Sequence, residues 1–151
     1  LRPSYVLDTN VLLALVRGNA LGASIDAAYG LRANLQRHVV SIASLAEMWV
    51  LADRNAWGDA KRNALRIMFE QLVVIPIEGQ ALVDAYVQIS AADKGWPEGS
   101  RNMGKNDLWI ASTALVTGFA VLTTDPDFKF LSNNPIQVLW IDPNQESKVI
   151  Q

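Results

Sequence analysis

Five short apolar runs, YVLD, HVVSIA, LVVIPI, FAVLTT and PIQVLWI, beginning at Tyr5, His38, Leu72, Phe119 and Pro135, alternate with longer segments of helical period. Such alternation restricts the chain to an α/β fold built on a mostly parallel sheet of four to five strands. TNVLLALVRG reads as a short first helix, and a second runs from about Ala20 to Arg37, with Leu21, Ile25, Ala28, Leu31 and Leu35 at helical spacing. Ser44 opens a helix in SLAEMWVLADRN, and Leu65, Met68 and Phe69 share one face of another from about Asp59 to Gln71. EGQALVDAYVQISAADKG follows the third strand. NDLWIASTALVTG reads as a helix with Asn106 as N-cap and Gly118 as C-cap. GWPEGSRNMGKN, polar and rich in glycine, reads as a surface loop.

The 151 residues, half of them hydrophobic, suit one domain with a full core, with about 4–141 as its body and a frayed C-terminal tail. No cysteine is present, which excludes disulfides and thiolate metal sites. No apolar run approaches the length of a membrane span, so a cytoplasmic protein with no membrane partner is expected. The net charge of −2 argues against a general nucleic-acid binder, although placement matters more than the sum. Arg54, Lys61, Arg62 and Arg66 cluster in one segment, where solvated helix charge is the plain reading.

Asp8 is the anomaly, a single carboxylate between two strongly apolar runs. A lone buried carboxylate is costly, so it must meet a cation or lie at an opening. In a parallel α/β sheet, ligands bind beyond the carboxyl ends of the strands, where the following helices begin. Asp8 ends the first strand, Glu47 falls in the first turn of the helix after HVVSIA, Asp107 opens NDLWIAST and Asp125 follows FAVLTT. Each has a plain structural reading: helix-dipole complementation for Glu47 and Asp107, a turn for Asp125 in TTDPDF, and an N-cap for Asp127. Together they are expected on one edge of the domain, repelling one another unless a cation joins them. Oxygen-only ligands favour Mg²⁺ or Mn²⁺ over zinc. An ion held there activates water for attack on a phosphodiester.

DTNVLLAL, the Glu47 of SLAEMWVL, NDLWIASTALVTG and VLTTDPDF resemble, in order, the four motif blocks of PIN-domain nucleases, and most closely the VapC-type toxins of toxin–antitoxin pairs. The blocks span the chain from Tyr5 to Phe128. The resemblance implies a three-layer α/β/α PIN domain whose central strand bears Asp8, and a Mg²⁺- or Mn²⁺-dependent endoribonuclease. It implies that Asp8, Glu47, Asp107 and Asp125 form the catalytic metal site. Asp127 is auxiliary, while Thr9, Asn10, Thr123 and Thr124 orient ligands or water. It also implies a homodimer and a partner antitoxin that masks the cleft. Trp49 and Trp57, with Leu45, Met48 and Leu51, are a candidate docking surface if the tryptophans are not enclosed in the core.

Lys94, Arg101 and Lys105, read as lying in the loop before Asp107, are candidates for contacts to RNA phosphates, with solvated loop charge as the plain alternative. His38 is the one histidine and is expected to have no catalytic part. A phosphatase acting through an aspartyl-phosphate needs a second acid where Asn10 stands, and a phosphorylation receiver needs an aspartate that LVVIPI does not offer. The remaining alternative is a PIN-like module that binds RNA or protein without cutting.

Overall fold

The computed structural model describes residues 3–95, 103–132 and 134–144. Along the chain run β1 (Tyr5–Leu7), α1 (Thr9–Arg17), α2 (Ala20–Tyr29), a 3-10 helix (Arg32–Arg37), β2 (Val39–Ser41), α3 (Ile42–Arg54) and α4 (Asp59–Gln71). Then follow β3 (Val73–Ile75), α5 (Gln80–Lys94), α6 (Lys105–Thr117), β4 (Ala120–Thr123), a second 3-10 helix (Pro126–Leu131) and β5 (Val138–Trp140). The strands form one sheet in the order β3-β2-β1-β4-β5, with every pairing parallel. The order therefore reverses at β1, and the crevice between the ends of β1 and β4 is where such sheets place ligands.

Side chains alternate between the two faces, as the strand repeat demands. Leu7, Val40 and Leu122 join a core with Val11, Leu12, Leu15, Met48 and Leu65 from α1, α3 and α4. Val6, Val39, Val121 and Val138 face the other way, onto Ile89 of α5, Leu108 and Ile110 of α6, and Phe128 of the second 3-10 helix. The result is three layers, α/β/α. In α2, a Cβ on Gly22 would lie 2.1 Å from the Ala14 carbonyl oxygen, so only glycine lets α1 and α2 touch there. Among the described residues no single helix is long and apolar enough to cross a membrane.

Local chemistry moves several boundaries from where periodicity puts them. The second helix stops at Tyr29, because Gly30 turns left-handed at φ 63° and Asp26 accepts a bond from the Arg32 N–H, 2.8 Å away. HVVSIA yields only three strand residues. The Ser41 hydroxyl accepts from the Ala43 N–H at 3.1 Å and starts α3 at Ile42, so Ser44 lies buried within the helix rather than capping it. Gly104, not Asn106, is the N-cap of α6, and Gly118 closes that helix as expected, at φ 73°.

Candidate active site

β1 ends at Leu7, and Asp8 turns the chain into α1 as its N-cap. Its backbone N–H still bonds to the Leu122 carbonyl at 3.1 Å, so the residue continues the sheet while its side chain serves the helix. One carboxylate oxygen accepts from the Thr9 N–H at 2.7 Å, and the other from the Thr123 hydroxyl at 2.6 Å. Asp8 is 3% exposed. Burial pushes its pKa up to about 6; the two hydrogen bonds oppose that rise, and the charges of Asp125 and Glu47 add to it.

Thr123 ties two acids together. Its hydroxyl donates to Asp8 and accepts from the Asp125 N–H at 2.9 Å. Asp125 in turn caps the second 3-10 helix by accepting from the Asp127 N–H at 2.9 Å, which leaves Asp127 exposed in the first turn. Asp107 stands in the first turn of α6. Burial, followed by the charges of Asp8, Asp125 and Asp127, pushes its pKa up to about 7.

Because α3 begins early, Glu47 lies in its second turn rather than its first. Its pKa is raised by burial and by Asp107, against hydrogen bonding from Asn106 and Thr9. Its Oε1 is buried without a hydrogen-bond partner. Thr9 is buried, and its hydroxyl also lies 3.2 Å from the Ser44 hydroxyl. Sequence reasoning did not place Ser44 and Asn106 among the site residues. The only available signal was their position, three residues before Glu47 and one before Asp107.

Five carboxylates thus share one cleft, where burial and then neighbouring charge raise the pKa of Asp8, Glu47 and Asp107, yet among the described residues no three of the five stand close enough to hold a metal as the side chains rest. An all-oxygen donor set with an unpartnered, buried carboxylate oxygen fits a hard divalent cation such as Mg²⁺ or Mn²⁺. The other expected site residues are less committed. Asn10 is exposed on α1, and Thr124 is buried, its carbonyl accepting from the Trp140 indole N–H. Lys105 is the exposed first residue of α6. Lys94 is the last residue of α5 rather than a loop residue, and Arg101 lies outside the described residues.

The tryptophan surface is mostly core. Trp57 is 8% exposed beneath the Lys61 ammonium, and Met48 is fully buried. Leu45 and Leu51 are partly buried against the same cluster. Trp49 alone lines an open groove of about 600 Å³, with Asp59, Arg62 and Arg66. The arginines of that basic cluster are largely engaged, Arg62 with Asp53 at 2.8 Å and Arg66 with Glu70 at 2.6 Å.

Residues 5–134 match the model of the PIN domain family. No curated protein matches the chain. Solved structures of similar fold include VapBC2 from Rickettsia felis, bound to a DNA fragment from its promoter (TM-score 0.67, 20% identity, covering 90% of this chain and 97% of that one). VapBC-1 from nontypeable Haemophilus influenzae is similar at TM-score 0.64 and 22% identity, covering 91% of this chain and 97% of that one. VapBC-5 from Mycobacterium tuberculosis, of the VapBC family of toxin–antitoxin systems, follows at TM-score 0.60 and 24% identity, covering 91% and 98%. At these identities the likeness is one of fold.

Proposed function

The chain belongs to the PIN-domain family, a family of nucleases, and from that premise we propose that it is a metal-dependent endoribonuclease acting as the toxin of a toxin–antitoxin pair. The observation that supports the reading is the mutual electrostatic influence of Asp8, Glu47, Asp107 and Asp125 at the strand-order reversal, with a buried, unpartnered Glu47 oxygen among them. Those four acids would hold Mg²⁺ or Mn²⁺, with Asp127 at the rim. When bound, the ion supplies an activated water and offsets the charge that develops on the phosphate. Asp8 contributes a carboxylate whose orientation is set by the Thr9 N–H and the Thr123 hydroxyl, and Thr123 fixes Asp125 against it. The first turn of α6 adds the field of a helix N-terminus, which favours an anionic substrate. Water attacks the phosphorus as the P–O3′ bond breaks, leaving a 5′-phosphate and a 3′-hydroxyl.

The similar structures that are toxin–antitoxin complexes support a cognate antitoxin partner, and a homodimer with that partner over the cleft is the assembly we expect. One observation favours the alternative of a PIN-like module that binds without cutting: no three acids are converged at rest among the described residues. Cleavage of a total RNA pool by wild type and Asp8→Asn, with Mg²⁺, Mn²⁺ or EDTA, decides between them. Discrete fragments from wild type alone, abolished by EDTA, are expected. Equal cutting by both proteins would remove Asp8 from the reaction, and no cutting by antitoxin-free wild type in Mn²⁺ would leave the binding module.

A further inference from the structure

A polyanion entering a cleft of five carboxylates needs a positive or aromatic holding point nearby, and the chain's net charge of −2 offers no general attraction. Such a point lies on the same sheet edge. Trp140 is the last residue of β5 and pairs in register with Thr123, the last residue of β4. Its ring is half-buried and anchored, because the indole N–H donates to the Thr124 carbonyl at 3.1 Å, immediately before Asp125. The Lys129 ammonium lies 3.5 Å from the centre of that ring. Lys129 comes from the 3-10 helix that Asp125 caps, it is exposed, and among the described residues it makes no ion pair. The pair therefore sets an oriented aromatic face, and a cation with no ion pair among the described residues, within a few residues of the acids.

We infer that Trp140 and Lys129 form a nucleotide subsite that holds an unpaired RNA base and its phosphate next to the acid cleft. The inference rests on the ribonuclease reading above and names how that site grips its substrate. Indole faces stack on bases with little regard to sequence, and a lysine on a flexible stem pairs with phosphate. The exposed Lys129 ammonium is held over the half-buried ring more weakly than a stacked base would be, so it yields the ring to the base and moves to the phosphate. Stacking needs a free base face, which selects single-stranded segments over helical ones. Trp140 and Lys129 are positioning residues, since the acids do the chemistry.

The test uses a fluorescent single-stranded 12-mer RNA of mixed sequence and a series of the same 12-mer carrying one abasic position each. Cleavage is measured with Mn²⁺ in the wild-type background, and binding by anisotropy in the Asp8→Asn background, where the probe stays intact. Trp140→Ala is expected to raise KM and weaken binding about 10-fold with kcat little changed, and Trp140→Phe to restore most of the loss. One abasic probe should bind wild-type Trp140 as poorly as Trp140→Ala binds the intact probe, and Trp140→Ala should not distinguish the two. Lys129→Ala should lower the salt dependence of binding by about one charge.

Equal loss on intact and abasic probes, or an unchanged KM in Trp140→Ala, would overturn the subsite while leaving the nuclease standing. If Trp140→Ala does not fold, Trp140→Phe and Lys129→Ala against the abasic series decide the matter. Wild type that binds but never cuts would overturn the nuclease reading instead, and the abasic comparison would still judge the subsite.

Discussion

The two ends of β1 bury an ionisable side chain equally and use it in opposite ways. At the carboxyl end Asp8 is 3% exposed, and at the amino end His38 is also 3% exposed. His38 is satisfied: its Nδ1 accepts the Tyr5 N–H at 3.2 Å, and its ring stacks on Tyr5, whose own ring meets Tyr29 edge-on. Burial, then the neighbouring Arg37, pushes the His38 pKa down, so it serves as a neutral acceptor that anchors the strand. Asp8 is hydrogen-bonded, but burial first, and then the like charges of Asp125 and Glu47, move its pKa up. One end spends a titratable group on holding the fold. The other keeps charge in tension, where an added cation would relieve it.

The sharpest way to separate the two ends is substitution. Asp8→Asn should reduce RNA cleavage by about 10²-fold or more while the metal-free protein melts no lower than wild type at neutral pH. A lower melting temperature would mean that Asp8 is held for structure. Less drastic is a pH series of urea unfolding in EDTA. Asp8 and Asp107 have folded pKa values of about 6 and about 7, above the ordinary 3.8. Their contribution is therefore greatest below about pH 4 and is lost as pH rises through 6 to 7, on the order of 3 kcal/mol for Asp8 alone. His38 has the opposite sign: its folded pKa lies below the ordinary 6.5, so its contribution is present above pH 6.5 and shrinks as pH falls below that. Mn²⁺ should stabilise more at pH 7 than at pH 5, and in Asp8→Asn the loss between pH 4 and 7 should be smaller.

His38→Phe should come next. It preserves the stack on Tyr5 but leaves the Tyr5 N–H without its acceptor, costing about 2 kcal/mol in denaturant unfolding with cleavage per folded molecule unchanged. A drop in specific activity would show that the amino end reaches the cleft. The smallest effect belongs to Thr123→Val, about 1 kcal/mol of stability, accompanied by a further rise in the Asp8 pKa readable by carboxylate NMR. An unmoved Asp8 titration would remove Thr123 from the network.

The carboxyl end was far more legible in the sequence than the amino end. An acid after an apolar run is a local signal, and strand alternation puts Asp8, Asp107 and Asp125 on one edge without knowledge of any contact. Glu47 shows the limit of periodicity, because the Ser41 hydroxyl starts α3 within an apolar run that reads as strand. Asn106 has the chemistry of a cap, yet its amide faces Glu47 and a glycine takes the cap position. The His38 contact joins residues 33 apart and the Trp140 contact residues 16 apart, pairings that spacing does not encode. Trp57 had the composition of an interface anchor, and packing against the core decided otherwise.

The Thr123 hydroxyl carries a single proton, and it is given to Asp8 while the oxygen receives Asp125's N–H. Each Asp8 oxygen already accepts one protein hydrogen bond, so its remaining lone pair points in a direction the protein has chosen. Were Asp8 to hold the proposed ion, a carboxylate with so little freedom to swing would act as a gauge of ionic radius. It would suit a small ion that demands fixed octahedral angles and offer less to a larger ion that relies on its ligands to adapt.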